Sequence, residues 1–316
     1  MPRKNAPKKP TPPHPNAFEH AWETVRHPTD PPPTVSARWL ISAAGIAVLA
    51  AALCAWGVLC LLFWQGSWQL LYHPTAAITK TPASVGAVFD PVAFATTDAG
   101  EPRLKGWWIP ATADAPLSHL TVLYLHGQTG NLSDTVDALA QLHAAGVNVL
   151  AFDYRGYGQS RFEHPSEAHL REDAEWALAY LTGTRHIAAN SIVIDGRDLG
   201  ANVALEVAAV HQELAGVILE EPLIDPAGAL FNDPRARMVP AHALVNDRYE
   251  VNAPATSLRI PSLWVLSTER NRNWAIDREP LRLVASNKSV VWLVPRRHEQ
   301  QDFQDALHRW LQEIAR

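Results

Sequence analysis

Hydrophobic and polar positions divide the chain into three regimes. From Trp39 to Trp64 the sequence WLISAAGIAVLAAALCAWGVLCLLFW carries no charged residue. A hydrocarbon core takes about 20 helical residues, so this run predicts a transmembrane helix over residues 39–64. Trp39 at one end and Phe63, Trp64 and Trp68 at the other fit the aromatic belts of the two membrane interfaces. A buried core helix of this length would carry a polar stripe, and a cleaved signal peptide would have a shorter apolar core. Before the run, residues 1–38 hold ten of the 25 prolines, all ahead of residue 34, in stretches that can form neither helix nor ladder hydrogen bonds. That tail is expected to be disordered.

After a linker at residues 65–86 the pattern changes to short apolar runs alternating with amphipathic stretches, the mark of a mostly parallel sheet covered by helices on both faces. Strands are expected at Val88–Thr96, Leu104–Ile109, Leu120–Leu125, Val147–Asp153, Ser191–Ile194, Gly216–Glu220, Ser262–Leu266 and Val290–Val294. Helical spacing falls at Leu132–Ala145, Ser166–Leu181, Leu199–Val210, Arg278–Ala285 and Gln301–Ile314. Residues 87–316 then form one α/β domain on an eight-stranded sheet, with a small cap insertion near 224–260.

Charge changes this picture only at the membrane. The tail carries Arg3, Lys4, Lys8, Lys9, Arg26 and Arg38, and no Lys or Arg follows the apolar run until Lys80. Positive flanks stay in the cytoplasm, so the N-terminus is expected inside and the α/β domain outside it, as in a signal anchor. A formal net charge of −5 with six scattered lysines argues against nucleic acid as a partner. Both cysteines, Cys54 and Cys60, lie in the apolar run, and the 14 histidines form no HExxH pair, so neither a metal nor a cofactor is expected.

The strongest chemical signal is the strand Ser191–Ile194 running into Gly196-Arg197-Asp198-Leu199-Gly200 and directly on into a helix. This is the setting of a nucleophile elbow, a strained turn that presents its central side chain at the C-terminal edge of a sheet; the central residue is ordinarily serine and here is Asp198. A second turn, His126-Gly127-Gln128-Thr129-Gly130-Asn131, follows the strand Leu120–Leu125 and leads to a helix capped by Asn131 or Ser133. Backbone amides of Leu199 and Gln128 are the expected oxyanion donors.

Taken together, HGxxGN, the run Asp153-Tyr154-Arg155-Gly156-Tyr157-Gly158-Gln159-Ser160, Pro165-Ser166-Glu167 and the upstream Leu71-Tyr72-His73-Pro74 resemble membrane-anchored α/β-hydrolase-domain proteins related to serine aminopeptidases and monoglyceride lipases. The similarity in motif order runs from about Leu71 to Leu311. It implies an α/β-hydrolase fold and a triad in the order nucleophile, acid, histidine. His298, after the last strand, matches the base, and Glu269 matches the acid, where relatives normally have aspartate. Glu220 and Glu221, at the end of the preceding strand, are an alternative acid, since some α/β-hydrolases with an aspartate nucleophile place it there.

Asp198 changes the chemistry that this order implies. A carboxylate is a competent nucleophile at saturated carbon, forming an alkyl ester that activated water reopens, whereas attack on an acyl carbon would give a mixed anhydride. Haloalkane dehalogenases and epoxide hydrolases of the superfamily work in the first way, but the tryptophan that follows the dehalogenase nucleophile is Leu199 here, and the cap segment offers only Tyr249 toward the paired tyrosines of epoxide hydrolases. Three readings stay open: a hydrolase using Asp198, His298 and Glu269, through a covalent ester or through His-activated water alone, on a substrate that no residue pattern selects, small lipid-like molecules being compatible; a pseudo-hydrolase keeping the pocket for ligand or partner binding; and a serine hydrolase using Ser160 or Ser267.

Overall fold

The computed structural model describes residues 35–267, 289–294 and 300–316. The proline-rich tail before residue 35, the helix expected at Arg278–Ala285, Glu269 and His298 lie outside the described residues. The chain forms two compact units, residues 1–56 and 57–316.

The described part of the first unit is the greater part of helix α1 (Ala37–Gly66). Its apolar side chains, Ile41, Ile46, Val48 and Leu53 among them, are exposed. With a mean hydropathy of 2.6 over its most apolar window, α1 is long and apolar enough to cross a membrane.

The second unit begins with the last turns of α1, a 3-10 turn at Ser67–Leu70 and the short strand β1 (His73–Pro74). Residues 65–86, expected as a linker, thus contain a strand of their own. There follow β2 (Asp90–Thr96), β3 (Pro102–Ile109), β4 (Thr121–Leu125), β5 (Thr129–Gly130), α2 (Val136–Ala144), β6 (Asn148–Asp153), α3 (Glu167–Ala179), β7 (Ile192–Arg197), α4 (Leu199–Val210) and β8 (Gly216–Glu220). The segment between β8 and the next strand, expected as a cap, carries three short helices, α5 (Gly228–Phe231), α6 (Ala241–Leu244) and α7 (Asn252–Ser257). The unit closes with β9 (Ser262–Ser267), β10 (Val290–Val294) and α8 (Gln300–Ile314).

Among the described residues the main sheet has eight strands in the order β10-β9-β8-β7-β4-β6-β3-β2. β2–β3 and β3–β6 are antiparallel and the other pairs parallel. This is the α/β-hydrolase fold. Strand side chains alternate between faces, and both faces are covered. Leu123, Leu150, Ile194, Leu219 and Trp264 pack on the α3/α4 side with Ala174, Leu178 and Val203. Val122, Val149, Val193, Ile218 and Leu263 pack on the α2/α8 side with Leu139, Leu142, Leu307 and Trp310. Each such fully buried side chain contributes roughly 1.5–3 kcal/mol. β4 lies between β6 and β7, so chain order reverses there and leaves a crevice at the strands' C-terminal ends, the position where open α/β sheets hold ligands.

Two elements differ in detail from the pattern. The expected helix at Leu132–Ala145 opens as a 3-10 turn (Leu132–Thr135), because Asn131 and Asp134 form a reciprocal capping box that tightens the first turn. α3 ends at Ala179 in a π turn over Tyr180–Thr184.

Candidate active site

The crevice is flanked by the turns after β7 and β4. Asp198 adopts φ 56 and ψ −123, a region that side-chain-bearing residues rarely enter. Two glycines make the turn possible. A Cβ on Gly196 would stand 2.2 Å from the Gly200 carbonyl oxygen, and one on Gly200 would stand 2.2 Å from that of Leu125 and 2.4 Å from that of His126. Strand and helix therefore approach more closely than any other residue allows. The Asp198 N–H donates to the Glu220 carbonyl at 2.8 Å, and its carbonyl accepts from Ala201 N–H at 3.0 Å. The half-buried carboxyl stands at the positive end of α4, a setting that favours a negative charge.

Across the crevice, the site of a Gly127 Cβ lies 3.1 Å from Asp198 Cβ and 3.4 Å from Asp198 Oδ2, so the turn after β4 faces the elbow carboxyl. Gln128 is held by its carbonyl, which accepts from His73 N–H at 2.9 Å and from the Tyr157 hydroxyl at 2.8 Å. β1 pairs with β5 in the same place, His73 opposite Thr129 and Pro74 opposite Gly130. The two N–H groups of the Asn131 amide are shared among Thr75 O, Thr75 Oγ1 and Ala77 O. The Leu-Tyr-His-Pro and Asp-Tyr-Arg-Gly-Tyr-Gly stretches thus meet at the loop that carries Gln128.

Other site residues of the sequence fall into distinct places. The structure brings Asp198, Leu199, Gln128 and Glu220 to one edge of the sheet. Glu221, at φ 50, follows β8 and donates its N–H to Val265 O at 2.8 Å. Ser160 is engaged elsewhere: its hydroxyl donates to Asp153 O at 2.5 Å and accepts from Lys105 N–H at 2.9 Å. Ser267 ends β9.

Three groups not singled out from the sequence, Tyr124, Asp195 and Arg197, line the α2/α8 side of the same edge together with Glu220. Strand register puts Tyr124 beside Asp195 and Arg197 beside Glu220. Asp195 is fully buried, and its carboxyl oxygens have no hydrogen-bond partner among the described residues. Burial raises its pKa well above the carboxylate range, with the nearby Glu220 adding to the effect. Glu220 is pushed up to about 7 by burial, against the opposing pull of Arg197. Arg197 is also hydrogen-bonded to Tyr124.

Behind the Gln128 loop, His126 is buried beneath Tyr154 and Tyr157, with ring centroids at 4.6 and 5.0 Å. Its Nδ1 is 2.8 Å from Gly127 O, and its Nε2 is 3.7 Å from Asp153 Oδ1. Burial lowers the imidazole pKa to about 4 and raises that of Asp153 to about 7, so both are uncharged between these values. No periodicity marks such a pair; only its place at two strand ends could have suggested it.

Residues 118–310 match the family described as serine aminopeptidase, S33. The chain belongs to this family of α/β-hydrolases. An uncharacterised protein of Mycobacterium tuberculosis is 31% identical over 274 residues, covering 84% of this chain and 93% of the relative. The protein YfhR of Salmonella typhimurium is 28% identical over 199 residues, covering 56% of this chain and 66% of YfhR. A solved esterase of Pyrococcus furiosus is similar in fold, with a TM-score of 0.58 at 19% identity over 78% of this chain and 98% of the esterase. Within the serine aminopeptidase family the central elbow residue of this chain is Asp198.

Proposed function

We propose that this protein is a membrane-anchored hydrolase that uses Asp198 as its nucleophile on a saturated carbon, with His298 as the base for the second step. The observation that carries the reading is the conformation of Asp198. A non-glycine residue at φ 56 costs on the order of 1–3 kcal/mol, and the chain keeps this strain in a turn built by two obligatory glycines around a carboxyl facing the Gly127 turn.

In the first step an Asp198 carboxyl oxygen forms a C–O bond at the substrate carbon as the leaving group departs with the bonding electron pair. Water deprotonated by His298 then adds to the ester carbonyl carbon of Asp198. Collapse expels the alcohol and restores the carboxylate with one oxygen from water. The amides of Leu199 and Gln128 face the oxyanion of that second step. Glu269 orients the imidazole, with Glu220 or Glu221 as the alternative. Helix α1 is the anchor, with the basic tail on the cytoplasmic side and the hydrolase domain on the other.

One single-turnover reaction in heavy-oxygen water, followed by mass analysis of the peptide holding Asp198, tests the mechanism. Label in the Asp198 carboxyl is expected. Turnover without label excludes the covalent ester, and absence of any His298-dependent turnover over alkyl esters, epoxides and haloalkanes favours a binding role instead. Membrane orientation is read separately from a reporter fused after Arg316, which should be active only outside the cytoplasm.

A further inference from the structure

A cavity of about 740 Å³ lies between the end of α1 and the cap, apart from the elbow. Its walls come from the last turn of α1 and the 3-10 turn after it, from the loop before α3, and from the end of α6. We propose that this cavity binds one single-chain amphiphile with an uncharged, hydrogen-bond-donating head, drawn from the lipid bilayer; the source of the ligand rests on the membrane reading of α1.

Depth is the first argument. α1 has 30 residues, and a hydrocarbon core takes about 20, so the final turns of the helix reach the interfacial layer. Those turns are docked on the cap: Phe63 is buried in one cluster with Leu230, Val239 and Val245, and Leu59 and Cys60 pack against it. The cap is therefore held at the level where the helix leaves the acyl region. Trp64 and Trp68, residues that favour this layer, form part of the cavity wall. Trp68 is stacked on His164 at 4.8 Å, which joins the juxtamembrane turn to the loop before α3. A cavity with its wall at that depth is supplied from the bilayer before it is supplied from solution.

Size and polarity define the ligand. Small-molecule pockets measure roughly 300–1,000 Å³, so the space is of ligand size. At roughly 30 Å³ for a water-sized group, it holds on the order of 25 heavy atoms, enough for one alkyl chain and a small head but not for a two-chain phospholipid. Leu71, Leu230 and Leu244 supply apolar wall, while Ser166, Asn246 and Asp247 supply polar wall. Asp247 Oδ2 accepts from the Tyr72 hydroxyl at 2.7 Å, and Oδ1 accepts from Glu167 N–H at 3.1 Å. A carboxylate has about four acceptor positions, so Asp247 takes further donors from a ligand and repels an anionic head.

The test uses the full chain and two photoaffinity probes, a hexadecanol and a palmitic acid, each carrying a diazirine near the methyl end. In phosphatidylcholine vesicles, labelling by the alcohol is expected at Trp64–Leu71 and Leu230–Asp247, saturable and competed by unlabelled hexadecanol, with weaker labelling by the acid. Leu244→Trp, which fills the cavity, should lower it roughly tenfold, equivalent to about 1.4 kcal/mol. Asn246→Arg, at an exposed position, should leave the fold intact and shift preference toward the acid. Non-saturable labelling confined to residues before Leu59, or identical labelling by both probes in both variants, overturns the proposal. Alkaline carbonate extraction tests the anchor by itself. Repeating the labelling in amphipol tests the cavity without the anchor, so the two failures are distinguishable.

Discussion

Tyr72 and Tyr249, 177 residues apart, join their hydroxyls at 2.7 Å in the protein interior. Each phenol has one proton. Tyr72 gives its proton to Asp247 Oδ2 at 2.7 Å, so Tyr249 is the donor to Tyr72. Glu167 completes the connection by accepting the N–H groups of Arg248 at 2.6 Å and Tyr249 at 3.0 Å. The Leu-Tyr-His-Pro stretch, the Pro-Ser-Glu stretch and the end of the cap are thereby one hydrogen-bonded unit.

The order of donation predicts an asymmetry between two single-atom deletions. Tyr72→Phe strands the Tyr249 hydroxyl and takes a donor from Asp247, which costs about 1–3 kcal/mol as unsatisfied buried groups. Tyr249→Phe removes one bond and leaves Tyr72 bonded to Asp247, at about 0.5–1.5 kcal/mol. Urea unfolding midpoints should fall further for Tyr72→Phe; the reverse order would contradict the direction of donation.

Strain at the elbow predicts a variant that gains stability as it loses activity. Asp198→Gly removes the cost of φ 56 and should gain about 1 kcal/mol, raising the melting temperature by about 2–4 °C. Asp198→Ala, which keeps a Cβ, should not show this gain. Both should abolish turnover if Asp198 is the nucleophile. Gly200→Ala is the opposite case, because its Cβ would meet the Leu125 carbonyl oxygen, and it should cost about 1–3 kcal/mol. Differential scanning calorimetry of the three variants separates these outcomes.

The elbow was legible because its information is local. Gly196, Asp198 and Gly200 lie within five residues, and the apolar run before them with the helical spacing after them leaves one turn geometry that fits. Strand and helix positions were legible for the same reason, and β8, β10 and α4 coincide with their expected bounds. What escaped was non-local. The two-residue pairing of β1 with β5 is too short to leave a pattern, and the sequence offered Tyr249 as a lone cap tyrosine because its partner Tyr72 comes from the other end of the domain. Asp195 lies just past the expected strand Ser191–Ile194, and its burial follows from strand register, which no single strand reveals.

Arg155 carries a prediction about chemistry rather than charge. Its Nε donates to Asp173 at 2.6 Å and its Nη1 to Glu163 at 3.1 Å, its Nη2 donates to Glu172 and His169 O, and its guanidinium lies 4.6 Å over the Trp176 ring. Lysine keeps the charge but has one nitrogen for these directions and no planar face for the indole. Arg155→Lys should therefore cost nearly as much as Arg155→Ala, about 3–5 kcal/mol, since the fully buried Asp173 loses the Nε donation in both and keeps from residue 155 only the backbone N–H on its Oδ2. Thermal unfolding compares the two, and a lysine variant of near wild-type stability would show that charge alone is enough.

His126 and Asp153 predict a pH dependence that is hidden until one of them is removed. The unfolded histidine binds a proton below about 6.5 and the buried one only below about 4, so His126 alone destabilises the fold as pH falls across that interval. Asp153 has the opposite sign: its carboxyl binds a proton below about 7 when folded and below about 3.8 when unfolded, so acidification stabilises the fold through it. Between pH 4 and 6.5 the two contributions oppose, one proton against one proton, and the pair is nearly silent. Asp153→Asn keeps an acceptor for the Leu132 N–H and exposes the histidine term, with stability falling by up to about 1.4 kcal/mol per pH unit on acidification. His126→Gln exposes the carboxyl term, and stability should rise over the same interval. Urea unfolding at pH 7, 6 and 5 reads the slopes relative to wild type. Equal slopes in the two variants would show that the groups are not buried as a neutral pair.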